Sequence, residues 1–387
     1  MRKLLVLVQL SLMASSSWKM SPKPKTTCDV GTLSHLSNAR LMEMEEMLQN
    51  LKAQMLTKCN VSYCPFLSIS NPFDENHFCY AIEKEADDDF KAKIRRLASC
   101  FPNVIIIPEE FDTHFTWMSS QYIIDAYYSC MKLLSKRPGW EYMILLLNND
   151  VVIKSPYEFV EIYKMLDGAN DVEISRSAEN SWNHSMKWDA RSLKLFVNEN
   201  LATPQQLSAT LQFAKGSTQA SLSRAAVEWL VGTVNLTTLL YQVNSMKRAP
   251  DELVFPSLQG TDEWDMPGRF TSECLKQDKY IYPMTRLSLF EYGQGGKCRT
   301  GMGASNACIF GLEDLQEISE TPHLIVYKYF PHLDYGLADC VHELIFNRTF
   351  LGQVDHPLNL SYYSNLPTVK FHKSRKHSNG NYKVECD

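Results

Sequence analysis

Segments between positions 104 and 166 alternate in character, and that alternation limits the architecture more than any other feature. Val104–Ile107 is a short, unbroken apolar run with three isoleucines, the pattern of a buried strand. Gln121–Leu134 spaces its apolar residues at helical periodicity. Tyr142–Leu147 is a second continuous apolar run, and Tyr157–Leu166 a second helical one. Strand, helix, strand, helix implies a parallel sheet with crossovers, so the expected class is α/β. In such sheets ligands sit beyond the carboxyl ends of the strands. Tyr142–Leu147 runs into Asn148-Asn149-Asp150, which puts Asp150 at such an end. The other reading of Asp150 is a simple turn aspartate.

The rest of the chain sets the compartment. A net charge of -5 gives no broad field for nucleic acid or anionic membrane, so neither is an expected partner on that ground. Eleven cysteines suit an oxidising compartment, and the odd number leaves at least one thiol free or paired between chains. Arg2 and Lys3 precede the apolar run Leu4–Ala14, which three serines follow. That run is about half the length needed to span a bilayer. It fits a cleaved signal peptide or a short signal anchor over residues 1–20. The other reading is a buried N-terminal strand. Sequons at Asn60, Asn183, Asn235, Asn347 and Asn359 are acceptable glycosylation sites and agree with a luminal or extracellular location.

Residues 21–58 read as a stem. Ser21-Pro-Lys-Pro-Lys-Thr-Thr is linker-like. Leu41, Met44, Leu48, Leu51 and Met55 form a helical apolar stripe, either a stem helix or a short coiled coil. The globular part is expected over 59–352, followed by a tail over 353–387. Lys370–Lys376 reads as a solvated basic segment.

Asp251 and Glu252 follow Pro250, which suits the first position of a helix because its missing N–H costs nothing there. Carboxylates in a first turn are kept ionised by the helix dipole, and an ionised carboxylate can act as a base. By pattern alone, Pro-Asp-Glu usually just starts a helix. Asp87-Asp88-Asp89 formally matches the metal-binding Asp-x-Asp pattern. It opens a basic helical segment, however, so capping is the better reading. The histidines show no ligand spacing, and no protein metal site is expected.

Several blocks recur in one order: Cys79-Tyr-Ala-Ile-Glu83, Ala98-Ser-Cys-Phe-Pro-Asn-Val104, Gly216-Ser217, Leu222-Ser-Arg224, Pro250-Asp-Glu252, Met266-Pro-Gly268, Cys308-Ile-Phe-Gly311 and Asp314-Leu315. Together they resemble the core-2/I-branching β-1,6-N-acetylglucosaminyltransferases, nearest the nematode-type branch. The resemblance implies a GT-A-like fold with a mostly parallel central sheet and a type II Golgi protein with its catalytic domain in the lumen. It also implies an inverting reaction that moves N-acetylglucosamine from UDP-GlcNAc to an O-glycan acceptor without a metal or other cofactor. In that family the Glu matching Glu252 is the catalytic base, and the Lys matching Lys328, in His323-Leu-Ile-Val-Tyr-Lys, holds the diphosphate. Glu173 matches an acceptor-contacting glutamate, and Asp150 falls at the donor-site loop. Cys79 with Cys130 and Cys298 with Cys308 match family disulfides. Cys100 and Cys340 are expected to pair among Cys28, Cys59 and Cys64; Cys274 and Cys386 have no assignment.

The chain departs from the family at several positions. Ser305 stands where a diphosphate arginine is expected, with Arg299 six residues earlier as a substitute. Glu83 replaces an aspartate at the donor site, and the basic acceptor contacts after Glu173 have no match. The first strand of the sheet should precede Cys79, yet Cys59–Phe78 reads poorly as one, so that strand is expected to be missing. A protein O-xylosyltransferase-like enzyme and an inactive, secreted glycan-binding relative are the competing readings.

Overall fold

The computed structural model describes residues 4–11, 76–112, 121–246, 249–290, 298–304, 306–331, 333–352, 357–377 and 386. The linker, the helical stripe at 41–55, Asn60, Ser305 and the cysteines at 28, 59 and 64 lie outside them.

The protein is mixed α/β, with several sheets. The alternating stretch forms α1 (Asp88–Cys100), β3 (Val104–Phe111), α2 (Ile123–Leu134), β4 (Trp140–Leu147), β5 (Asp150–Val152) and α3 (Pro156–Leu166). Ahead of them lies β2 (His77–Glu83). The side chain of Asp87 accepts from the N–H groups of Asp89 and Phe90, so the acidic triplet does cap a helix. Ser155 and Glu158 form a capping box with Pro156 in the first turn, which fixes the start of α3.

Leu4–Ser11 is itself a strand, β1. It lies between β2 and β4 and runs parallel to both, pairing Val6 with His77 and Met143. It supplies the strand that was expected to be missing before Cys79, and over these eight residues it matches the alternative reading of a buried N-terminal strand; the rest of the leader call, residues 1–3 and 12–20, lies outside the described residues. Eight apolar-rich residues serve equally well as the core of a leader or as a doubly covered inner strand, and only the pairing decides. The five-stranded sheet has the order β3-β2-β1-β4-β8, with β8 (Ser221–Ser223) antiparallel to β4.

Successive residues of β2 and β4 enter different cores, because side chains alternate across a strand. Cys79, Ala81, Met143 and Leu145 pack with Ile124, Tyr127 and Met131 of α2. Phe78, Tyr80, Ile144 and Leu146 pack with Ile94 and Leu97 of α1 and with Phe159 and Ile162 of α3. Both faces are thus covered by helices, which explains the continuous apolar runs. The disulfide Cys79–Cys130 ties β2 to α2.

Small sheets complete the frame: β6 (Ser175–Arg176) with β7 (Ala214–Lys215), and β5 with β12 (Ile325–Tyr327) and β9 (Arg286–Ser288). A hairpin of β10 (Gly303–Ala304) and β11 (Ala307–Cys308) carries the disulfide Cys298–Cys308. Cys100 and Cys340 are also disulfide-bonded. Among the described residues no helix is long and apolar enough to cross a membrane.

The basic C-terminal segment is not a solvated tail. Pro367–His377 is a helix, labelled α5 here, with α4 (Val254–Gly260) preceding it in the site described below. Val369 and Phe371 of α5 are buried, and Phe371 packs edge-on against Phe270 at 5.3 Å. Its charges face acids: Arg375 meets Asp265 and Lys376 meets Asp167. Cys386 beyond it is bonded to Cys274, a pair that had no assignment from sequence. Only two buried apolar side chains anchor the helix, too few to register as a helical stripe.

Candidate active site

Residues Lys215–Gln219 thread the centre of the site and contact Asp150, Asp251 and Glu252. Lys215 Nζ lies 3.0 Å from Glu252 Oε2. Gly216 donates its N–H to the Glu252 carbonyl at 2.9 Å. Ser217 Oγ donates to Gln219 Oε1 at 2.7 Å, and Thr218 Oγ1 to Asp251 Oδ2 at 2.5 Å. Gln219 Nε2 donates to Asp150 Oδ1 at 3.0 Å.

A proline makes the Gly216 contact available. Pro250–Glu252 is a 3-10 turn that leads into α4. In a continuous helix the Glu252 carbonyl would accept the N–H of residue 256, but residue 256 is Pro and has none. The freed carbonyl takes Gly216 instead. The turn is entered through Ala249, a non-glycine residue in the left-handed region at φ 37. Such backbone costs of order 1–3 kcal/mol and gathers at functional sites. Asp251 is buried on Thr218, whereas Glu252 is about a third exposed, so Glu252 is the carboxylate of the pair that a ligand can reach. Its Oε2 makes no hydrogen bond within the protein; Lys215 attracts it only as a charge.

Glu173 stands on the other side of Gly216. Its Oε2 accepts from Arg286 Nη2 at 3.2 Å, and its Oε1 accepts a short bond from the Tyr280 hydroxyl. Arg286 Nη1 donates to Gln219 Oε1 at 3.3 Å, and its guanidinium lies 5.3 Å from the Tyr327 ring centre. Arg286, Gln219, Tyr280 and Tyr327 were not foreseen. The pairing of β9 with β12 brings Arg286 and Tyr327 together, and the Ile174–Ile281 bridge carries Tyr280 to Glu173; no local pattern discloses either.

Tyr327 marks the point where the charges meet. Burial raises its hydroxyl to about 12; Arg286 opposes the rise, and the negative charges of Asp150, Asp251 and Glu252 add to it. Lys328 follows it, is buried, and packs its ammonium 5.5 Å from the Tyr327 ring centre and 5.8 Å from that of Phe330. Burial lowers its pKa, and among the described residues no carboxylate pairs with it. A buried ammonium without an acid partner is costly and suits an anionic ligand.

Asp150 begins β5, where Leu147 N–H donates to its Oδ2 at 2.6 Å. Burial pushes its carboxyl up to about 7, against the hydrogen bonds from Leu147 and Gln219 and the charge of Arg286. The sign follows: an acid raised from 3.8 holds its proton longer when folded, so this residue's stabilising contribution is full below about 4 and is lost as pH rises through about 7. Asp150→Asn is therefore expected to flatten the fall in melting temperature between pH 5 and about 8. Unchanged pH dependence in thermal denaturation of this variant would show that Asp150 ionises normally.

Glu83 is buried at the carboxyl end of β2, and β1 separates it from the end of β4, roughly 10 Å across two strand spacings. It lies at the same end of the five-stranded sheet from which β4 leads on to Asp150. Arg299 is elsewhere engaged, with Nη2 3.1 Å from Glu317 and Nε 4.0 Å from Asp314. Its side chain is half exposed. Among the described residues no group of three or more His, Cys, Asp or Glu is arranged to hold a metal ion. Asn183, Asn235 and Asn359 are exposed, while Asn347 is partly buried where a helix ends.

The sequence profile of the Core-2/I-Branching enzyme family matches residues 66–319. The chain belongs to this family. The match includes Glu83, Asp150, Glu173, Glu252 and Arg299 and stops short of Lys328. Among relatives of this chain is the cow protein beta-1,3-galactosyl-O-glycosyl-glycoprotein beta-1,6-N-acetylglucosaminyltransferase 3, 26% identical over 292 residues. That alignment covers 72% of this chain and 63% of the relative. A bovine herpesvirus 4 (strain LVR140) protein of the same description, without the final numeral, is similar to the same degree, with the same coverage. The human enzyme 3 is 24% identical over 302 residues, covering 72% of this chain and 64% of its own. The chain thus spans less than two thirds of the length of these relatives.

Proposed function

We propose that this protein is an inverting glycosyltransferase that adds N-acetylglucosamine from UDP-GlcNAc in β-1,6 linkage to an O-glycan. The observation that carries the reading is Glu252, an accessible carboxylate whose buried oxygen hydrogen-bonds to nothing in the protein and stands beside a lysine. Glu252 removes the proton of the acceptor's primary hydroxyl as that oxygen attacks the anomeric carbon. The bond from that carbon to the diphosphate breaks on the opposite face, so configuration inverts. Lys328 neutralises the charge gathering on the departing diphosphate. Glu173 contacts the acceptor, and Asp150 and Glu83 line the donor side.

The family assignment supports this chemistry, and the names of the relatives support the donor and linkage. The parallel pairings of β1 with β2 and β4 support a GT-A-like frame with the donor beyond their carboxyl ends. The disulfides among the described residues support an oxidising compartment, in keeping with the Golgi lumen. In that compartment Asn183, Asn235 and Asn359 are, among the described residues, the exposed sequons suited to carry glycans.

Transfer is expected to survive EDTA, with Lys328 serving in place of a metal. Lys328→Ala is expected to weaken UDP binding by ~1.5–3 kcal/mol, the worth of a hydrogen bond to a charged group. Calorimetric titration with UDP and a radiolabelled transfer assay across UDP-sugars, each with and without EDTA, test both. Strict manganese dependence would remove Lys328 from this role, and preference for UDP-xylose would favour the xylosyltransferase reading.

A further inference from the structure

Arg286 is a cation among the acids of the site, and its bonding is unusual. Its two Nη groups serve different elements: Nη2 donates to Glu173 at 3.2 Å, and Nη1 to Gln219 at 3.3 Å. Gln219 passes the connection to Asp150 at 3.0 Å. The Arg286 Nε is buried and has no acceptor. An unsatisfied buried donor costs about 1–3 kcal/mol. An arginine placed only for stability would avoid that cost; one placed to hold two partners in a fixed relation need not. The planar fork can hold two acceptors at a fixed separation, and the Tyr327 ring at 5.3 Å supports its plane.

We propose that Arg286 is a positioning residue that locks the Glu173 carboxylate to Asp150 through Gln219, so that acceptor and donor halves of the site are set as one unit. The inference rests on the proposed function for the meaning of the two halves. It specifies what neither half would do alone: loss of Arg286 frees Glu173, which then keeps only the Tyr280 hydroxyl. It also withdraws a cation whose charge favours ionised Asp150, which Tyr127, Gln219, the Leu147 N–H and Tyr327 otherwise face.

The test compares wild type with Arg286→Gln, Arg286→Lys, Glu173→Gln and the double variant Arg286→Gln/Glu173→Gln. Arg286→Gln is expected to raise the acceptor KM by about 10- to 100-fold while UDP affinity stays within about twofold. Lysine should restore little, because an ammonium cannot reproduce the two-partner fork. The double variant should be no worse than the Arg286 single variant, since both remove one coupled contact. Fully additive losses, or a lower melting temperature with unchanged acceptor KM, overturn the proposal. Carbon-13 carboxyl titration of Asp150 and Glu173 gives a readout independent of turnover. There, Arg286→Gln should raise the Asp150 midpoint and move the Glu173 resonance. If wild type transfers no sugar but both titrations move, the functional reading fails and the coupling stands. If neither moves, the coupling fails.

Discussion

Glu252→Gln is expected to lower sugar transfer by about 100- to 10,000-fold, the usual worth of a positioned general base. Glutamine keeps the shape of the side chain and removes only its capacity to take a proton. The fold around it should hold, because the contact that fixes the turn is made by the Glu252 carbonyl, which accepts from Gly216, and not by the carboxylate. UDP affinity should stay near wild type, since Lys328 is engaged through a different element. Initial rates at saturating acceptor and calorimetric UDP titration separate the two effects. Wild-type turnover in this variant would exclude Glu252 as the base, whatever its position in the turn.

The parts of the fold that sequence made legible are those whose burial is decided locally. Val104–Ile107 and Tyr142–Leu147 read as strands because both faces are covered, and they fall within β3 and β4. Tyr157–Leu166 read as a helix from its apolar periodicity, and the Ser155–Glu158 capping box found in the structure agrees with it. Leu4–Ser11 was not decided by that logic. An inner strand and the apolar part of a leader share one composition, and the difference lies in partners more than sixty residues away. The basic helix α5 failed for the opposite reason, since its burial rests on Val369 and Phe371 alone.

The candidate site divides in the same way. Glu252 and Lys328 stand out because flanking residues mark them. Arg286 sits in Met284-Thr-Arg-Leu-Ser288, a stretch with no chemical signature, and acquires meaning only when β9 is laid beside β12. Arg299 shows the converse: it was singled out by its distance from position 305 along the chain, yet its side chain turns to Glu317. Sequence separation ranks candidates, but the direction of a side chain is set by the element that carries it.

Gly216→Ala is expected to be among the most damaging single changes in the site, although it adds one methyl group and no charge. A Cβ at position 216 would lie 1.9 Å from the Glu173 carbonyl oxygen and 2.7 Å from its carbon, with Pro256 Cγ at 3.0 Å. The nearest obstacle is backbone, so no rotamer change relieves it. The strands cannot easily part, because Ser175 and Lys215 are paired in β6 and β7 and the Ser175 hydroxyl also donates to the Lys215 carbonyl at 2.8 Å. Relief must therefore move Glu173 outward or pull Gly216 from the Glu252 carbonyl, and either shift displaces a candidate carboxylate. A displacement of about 1 Å costs about 100-fold in rate, and overpacking costs about 1–3 kcal/mol in stability. Gly232→Ala is the control, since a Cβ there meets nothing within 4 Å; it should leave activity unchanged. Thermal denaturation beside steady-state kinetics separates the two losses at position 216. The decisive result is a fall in kcat larger than the unfolded fraction explains. If Gly216→Ala keeps both the melting temperature and the turnover of wild type, Glu173 and Glu252 are not held against that backbone as described.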